Sequence, residues 1–176
     1  MSNGSKAFYR VTSKIRDFLI NLENVNTVTF GDIREIDLNK QTMFPLAHVM
    51  VDNVSLASGT MTFTITVLAM DVVHAYKANT KIADETSIPD PSVITNFEDT
   101  DLTFYGQDNE QDVLNDTLSV VNLLNQSLTR NSLRNDKFEL TGQGTCEPFT
   151  DRFENKLAGW AYTVSAFVEN DINICE

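Results

Sequence analysis

The chain has 176 residues, with 25 Asp and Glu against 13 Lys and Arg, and a formal net charge of −12. That length suits one domain with its own core. A hydrophobic content of 41% with 22% charged residues excludes a wholly disordered chain or a fibrous repeat. A surface this acidic repels phosphate backbones, which excludes an ordinary nucleic-acid binder.

The first residues, Met1 to Lys6, lack the apolar core of a signal peptide, and no stretch approaches the roughly 20 apolar residues of a membrane span. The expectation is a chain made in the cytosol and kept off membranes. Cys146 and Cys175 have no metal-ligand spacing and read as reduced thiols.

From Ser5 to Glu23 the apolar residues Phe8, Val11, Ile15, Phe18, Leu19 and Leu22 step by three or four, which predicts an amphipathic helix covering a sheet. Asn26 to Phe30 alternates as a short strand, and Gly31-Asp32 supplies a turn. Residues 31–44 are poorly periodic and read as an irregular connection or a short edge strand. Pro45 cannot donate a ladder bond and belongs at the start of the next strand. That strand, Leu46 to Val54, places Ala47, Val49 and Val51 on one face and Leu46, His48, Met50 and Asp52 on the other. Ser55 to Gly59 reads as a hairpin loop. Thr60 to Met70 returns with Met61, Phe63, Ile65, Val67 and Ala69 alternating against threonines, Leu68 and Met70.

Periodicity then fades. Between Val72 and Asn109 come Pro89, Pro91 and the acids Asp84, Glu85, Asp90, Glu98, Asp99, Asp101 and Asp108. Residues 72–109 read as a long acidic insertion, which at that length is either functional or disordered. Phe97, Leu102, Phe104 and Tyr105 predict that its second half packs on this subunit or a neighbour. Glu110 opens a second helix with the stripe Val113, Leu114, Leu118, Val121, Leu124 and Leu128, its acids at the positive end and Arg130 and Arg134 at the other. Asn115, Asn122 and Asn125 read as solvated or subunit-facing. A short strand at Phe138 to Leu140 and a loop marked by Gly142, Gly144 and Pro148 lead to the last strand. In Lys156 to Glu169, Trp160, Tyr162, Val164, Ala166 and Val168 share one face.

The expected fold is therefore α+β: residues 1–176 as a single domain with a mostly antiparallel sheet of about four strands. Two amphipathic helices pack on one face, in the order α-β-β-β-α-β with the long insertion.

No chemistry-bearing motif accompanies this frame. His48 sits on an alternating strand and reads as a satisfied structural histidine, while His74 lacks a zinc spacing. Paired acids such as Asp99/Asp101 or Asp108/Glu110/Asp112 cannot be singled out as an acid and base, and Asp84 to Asp90 lacks the ligand alternation of a calcium loop. Gly142-Gln143-Gly144 is a turn, not a phosphate cradle, and Cys146 beside Glu147 lacks an electropositive neighbour to activate it. The expectation is no catalytic residue, no cofactor and no metal. Trp160 has two readings, a core residue or an aromatic anchor at a subunit seam.

The segments "FPLAHVMV" from Phe44, "TFTITVLAMD" ending at Asp71, "DVLNDTLSVVNLLNQSL" in the second helix and "GWAYTVSAFV" closing the sheet resemble, in their order, the tail-terminator and neck proteins of tailed bacteriophages. The resemblance covers most of the chain outside the 72–109 insertion. It implies a structural virion protein, assembled in the host bacterial cytoplasm, that forms a homo-oligomeric ring at the head-tail junction. The ring would be a hexamer, with a dodecamer as the alternative. Its partners would be the tail tube and adjacent neck or connector proteins. DNA would pass through the lumen without specific binding. The alternatives are another neck or tail-hub ring of a short-tailed phage, or a non-viral binding module using residues 97–105. A small enzyme with an acidic site stands as a third class. Subunit or partner contacts would fall to Phe97, Leu102, Phe104, Tyr105 and Trp160.

Overall fold

A stripe of Ala7, Val11, Ile15 and Leu19 is buried along helix α1 (Ala7–Ile20), one side of a helix as their spacing requires. The computed structural model describes residues 6–38, 40–73, 109–129, 138–152 and 156–169. Strand β1 (Thr27–Phe30) follows, and two short 3-10 turns, Ile33–Glu35 and Gln41–Met43, fill the connection to strand β2 (Leu46–Ala57). Pro45 precedes β2 across a cis Phe44–Pro45 bond. A two-residue turn at Ser58-Gly59, with Gly59 at φ +77°, leads into β3 (Thr60–Val72). The hairpin strand is longer and the turn tighter than the alternation predicts. A bulge between Val51 and Asn53 changes the side-chain phase, so Val54 and Leu56 come opposite Phe63 and Met61.

After helix α2 (Glu110–Thr129) come β4 (Phe138–Leu140), β5 (Thr145–Arg152) and β6 (Leu157–Glu169). The described residues make a mixed α and β fold with two helices and a six-stranded, mostly antiparallel sheet. The expected four strands and α-β-β-β-α-β order need correcting to α-β-β-β-α-β-β-β. The Gly142 to Pro148 region read as a loop is mostly β5. It lies along the outer edge of β6, where a proline is tolerated. The sheet order is β1-β2-β3-β6-β4, with β5 also on β6, and only β1 and β2 are parallel. β3 and β6 pair from Thr60↔Glu169 to Val72↔Leu157 without a break.

The two faces are unlike. Ala47, Val49, Phe63, Ile65, Val67, Tyr162, Val164, Ala166 and Val168 meet the buried sides of α1 and α2 in one core. Each large aliphatic side chain buried there contributes on the order of 1.5–3 kcal/mol. On α2, Thr117 and Val120 are buried with Val121, Leu124 and Leu128, while Leu118 is exposed, so the stripe is rotated from the one the sequence suggests. The opposite face carries a second, smaller core. There Phe44, Leu46, Leu68, Met70, Phe149 and Leu157 lie beneath Ile33, Leu38 and Met43 of the connecting segment.

Gly159 stands where β6 runs closest to β3: a Cβ there would lie 2.0 Å from the carbonyl oxygen of Ala69. On the same face, Thr66 donates to the Asp52 carboxylate and sits 2.9 Å from Thr163 Oγ1, tying together three neighbouring strands.

Candidate assembly surface

Most large apolar side chains left in solvent among the described residues lie at one margin of the sheet, the others being Ile20, Leu118 and Leu123 on the helices. Among the described residues, Phe8, Tyr9, Phe30, Val54 and Leu56 are exposed and come from α1, β1 and the outer half of β2. Phe8 lies edge-on to Tyr9 at 5.8 Å and to Phe30 at 5.9 Å, and leans on buried Phe63 at 6.3 Å. Val54 is the register partner of Phe63 and so continues the patch on the same face. Tyr9 and Leu56 are each 73% exposed, too open to serve the fold. An aromatic patch of this kind is a candidate interaction surface.

The opposite margin carries a concavity. A cleft of about 390 Å³ runs between α2 and the β5–β6 edge, with Leu118, Asn122 and Asn125 on one wall and Gly144, Cys146 and Tyr162 on the other. The register Cys146↔Tyr162 brings the wall together. Tyr162 is buried at the base, and its hydroxyl donates to Asn125 Oδ1 at 2.9 Å. Burial, with a contribution from Cys146, pushes the Tyr162 phenol up to about 12. Burial also raises the Cys146 thiol, so the cleft holds no activated nucleophile there.

Trp160 is half-buried against the helix-covered core, and its Nε1 donates to the Leu114 carbonyl at 2.8 Å. It anchors α2 to β6. Phe97, Leu102, Phe104 and Tyr105, with His74, Cys175 and residues 74–108 generally, lie outside the described residues. Of the expected contact residues only Trp160 is therefore placed. The aromatic patch was not anticipated: Phe8 reads as a core position, and Tyr9, Phe30, Val54 and Leu56 are far apart in the chain.

His48 is fully buried. Its Nε2 lies 3.0 Å from the Gly31 carbonyl, which can only accept, so Nε2 carries the proton and Nδ1 accepts from Thr29 Oγ1 at 2.8 Å. Burial lowers its pKa, against opposing contributions from the Gly31 bond and Asp32. The ring clasps β1 to β2. Among the described residues no three His, Cys, Asp or Glu are grouped to hold a metal ion, and no helix is long and apolar enough to cross a membrane.

No protein-family model matches the chain, and no curated protein matches it either.

Proposed function

We propose that this chain is a structural, non-catalytic virion subunit that closes into a ring at the head-tail junction of a tailed bacteriophage. The ring terminates the tail tube, joins it to the neck and lets DNA pass. The observation that carries this is the collection of Phe8, Tyr9, Phe30, Val54 and Leu56 in solvent at one sheet margin. A monomer gains nothing from such a surface, whereas an assembling subunit buries it. The order of patterned segments, which resembles that of tail terminators and neck proteins, supplies the setting. The net charge of −12 suits a channel that must not hold DNA. A hexamer is the expected copy number, with tail tube and connector proteins above and below.

Native mass spectrometry and negative-stain electron microscopy of the purified chain test this. Closed rings with an open centre are expected. A protein that stays monomeric at every concentration and in the presence of tail-tube subunits overturns it.

A further inference from the structure

β1 covers β2 only from Leu46 to Val49. Beyond the bulge, the outer half of β2 from Asn53 to Ala57 has β3 on one side and, among the described residues, no strand on the other. Every residue of that segment is exposed. Which backbone groups face outward follows from the turn. Ser58-Gly59 is closed by the pair Ala57↔Thr60, and in a two-residue hairpin the closing residues bond to each other. Alternation then turns Ser55 and Asn53 toward β3 as well, and aims the N–H and C=O of Val54 and Leu56 away from it. Carried past the bulge along β3, the same alternation makes Val49 outward-facing, and its carbonyl does accept from the Gly31 N–H at 3.2 Å.

An open row of strand donors and acceptors is a template for another strand, and proteins commonly guard such edges with charge or proline. The opposite margin of this sheet is guarded: β4 and β5 carry exposed Glu139, Glu147 and Pro148. The hairpin from Asn53 to Met70 contains no charged residue and no proline. The unguarded edge therefore finds its match in itself and not in the far side of the sheet.

We infer that the outer half of β2 pairs antiparallel with the same segment of a second copy, about a two-fold axis at Ser55. Val54 then stands opposite Leu56 of the second copy and Leu56 opposite its Val54, each pair exchanging both of its backbone bonds. An axis at Val54 would set Leu56 against the bulge, and one at Leu56 would set Val54 against the turn, so only Ser55 brings both outward residues into register. The exposed side chains of Val54 and Leu56 meet across the pair on one face. The net charge of −12 does not oppose this contact locally. The acid nearest in the strand, Asp52, falls opposite Ser58, which holds the two Asp52 positions roughly 20 Å apart, about two Debye lengths. A two-fold contact joins copies in pairs and closes no ring by itself, so it sets two rings, or two single chains, edge to edge whether or not the ring reading holds.

Ser55 faces its counterpart in a pair that exchanges no bonds, where Cα atoms approach to about 4.5 Å, within reach of a disulfide. In a full-length Cys146→Ser, Cys175→Ser background, Ser55→Cys should give a covalent dimer under mild copper-phenanthroline oxidation. Ala57→Cys on the same strand should not, because its counterpart lies roughly 13 Å away. Ser55→Lys sets two ammonium groups face to face; it should melt like the unaltered protein and weaken self-association about fivefold by analytical ultracentrifugation. In the unaltered chain the Val54 and Leu56 amides should exchange more slowly as protein concentration rises. No covalent dimer from Ser55→Cys, or as much from Ala57→Cys, overturns the pairing. So does protection of those amides that appears only when a different protein is added. Rings built from a chain that Ser55→Cys fails to link leave the ring reading standing and this pairing fallen, and linked pairs without rings do the reverse.

Discussion

A methyl group at Gly144 would lie 2.3 Å from Cε2 of Tyr162. The glycine on the loop into β5 is thus what lets the tyrosine ring lie flat at the base of the cleft and reach Asn125. Gly144→Ala must move that ring, and should cost about 1–3 kcal/mol, the price of stranding a buried hydroxyl. Tyr162→Phe, which removes the hydroxyl and keeps the ring, should cost roughly 1 kcal/mol. Urea denaturation of the two variants checks the order. In alkaline difference spectra, Gly144→Ala should bring the Tyr162 titration down from about 12.

His48 makes stability depend on pH in a stated direction. The folded chain holds the ring neutral and takes up its proton at a pH below the unfolded value of 6.5. Between those two points the unfolded chain binds more protons, so stability rises with pH. The contribution is whole above 6.5, declines as pH falls below it and levels off beneath the lowered folded value. Urea midpoints of the unaltered protein and His48→Gln, compared near pH 8 and near pH 5.5, should converge at the lower value. A constant gap between them would show that the ring does not titrate in this range.

Adjacent leucines on α2 should differ sharply. Leu124 is completely buried between α2 and the sheet, while Leu123 is 44% exposed. Leu124→Ala should cost about 2–5 kcal/mol through lost burial and the cavity left behind, and Leu123→Ala within about 0.5 kcal/mol of nothing. Thermal unfolding of the two single variants measures this, and equal losses would mean that α2 is rotated from the orientation described.

Gly159→Ala sets a methyl against the backbone of a neighbouring strand, which cannot yield as a side chain can. A loss of more than about 3 kcal/mol, or failure to fold, is expected. Thr66→Val should cost only about 1 kcal/mol, because it removes the donor to Asp52 while leaving that exposed carboxylate in water. Expression and denaturation of both variants compare a backbone clash between β6 and β3 with a lost hydrogen bond between β3 and β2.

Much of this architecture was legible because β3 and β6 are buried on one face for most of their length, and such strands must alternate. Met61 to Val67 alternates with threonines and Tyr162 to Val168 alternates in burial, while Leu68 and Met70 break the pattern because the second core buries them on the other face. What escaped had causes outside the local pattern. β5 has Cys146, Pro148 and Phe149 in no strand-like alternation, and its conformation comes from the edge that β6 offers. The bulge before Asn53 turns Val54 and Leu56 onto a face their spacing does not suggest. On α2, Thr117 does a hydrophobe's work because its hydroxyl donates back to the Val113 carbonyl, so a stripe drawn through apolar residues alone selects Leu118 in error. The candidate surface was the least legible part. Phe8, Phe30 and Val54 become neighbours only when α1, β1 and the outer half of β2 are assembled.

The unbroken pairing of Thr60–Val72 with Leu157–Glu169 also sets the order of events during synthesis. β3 cannot be sandwiched until residues made 85 to 109 positions later have left the ribosome. Until then the nascent chain carries an uncharged stretch of hairpin, Asn53 to Met70, with the outer edge of β3 open. Contacts so distant in sequence form slowly, and an open edge invites pairing with other chains. Newly made chains should therefore lean on chaperones more heavily than a chain of this size with local contacts, and low growth temperature should raise the soluble yield.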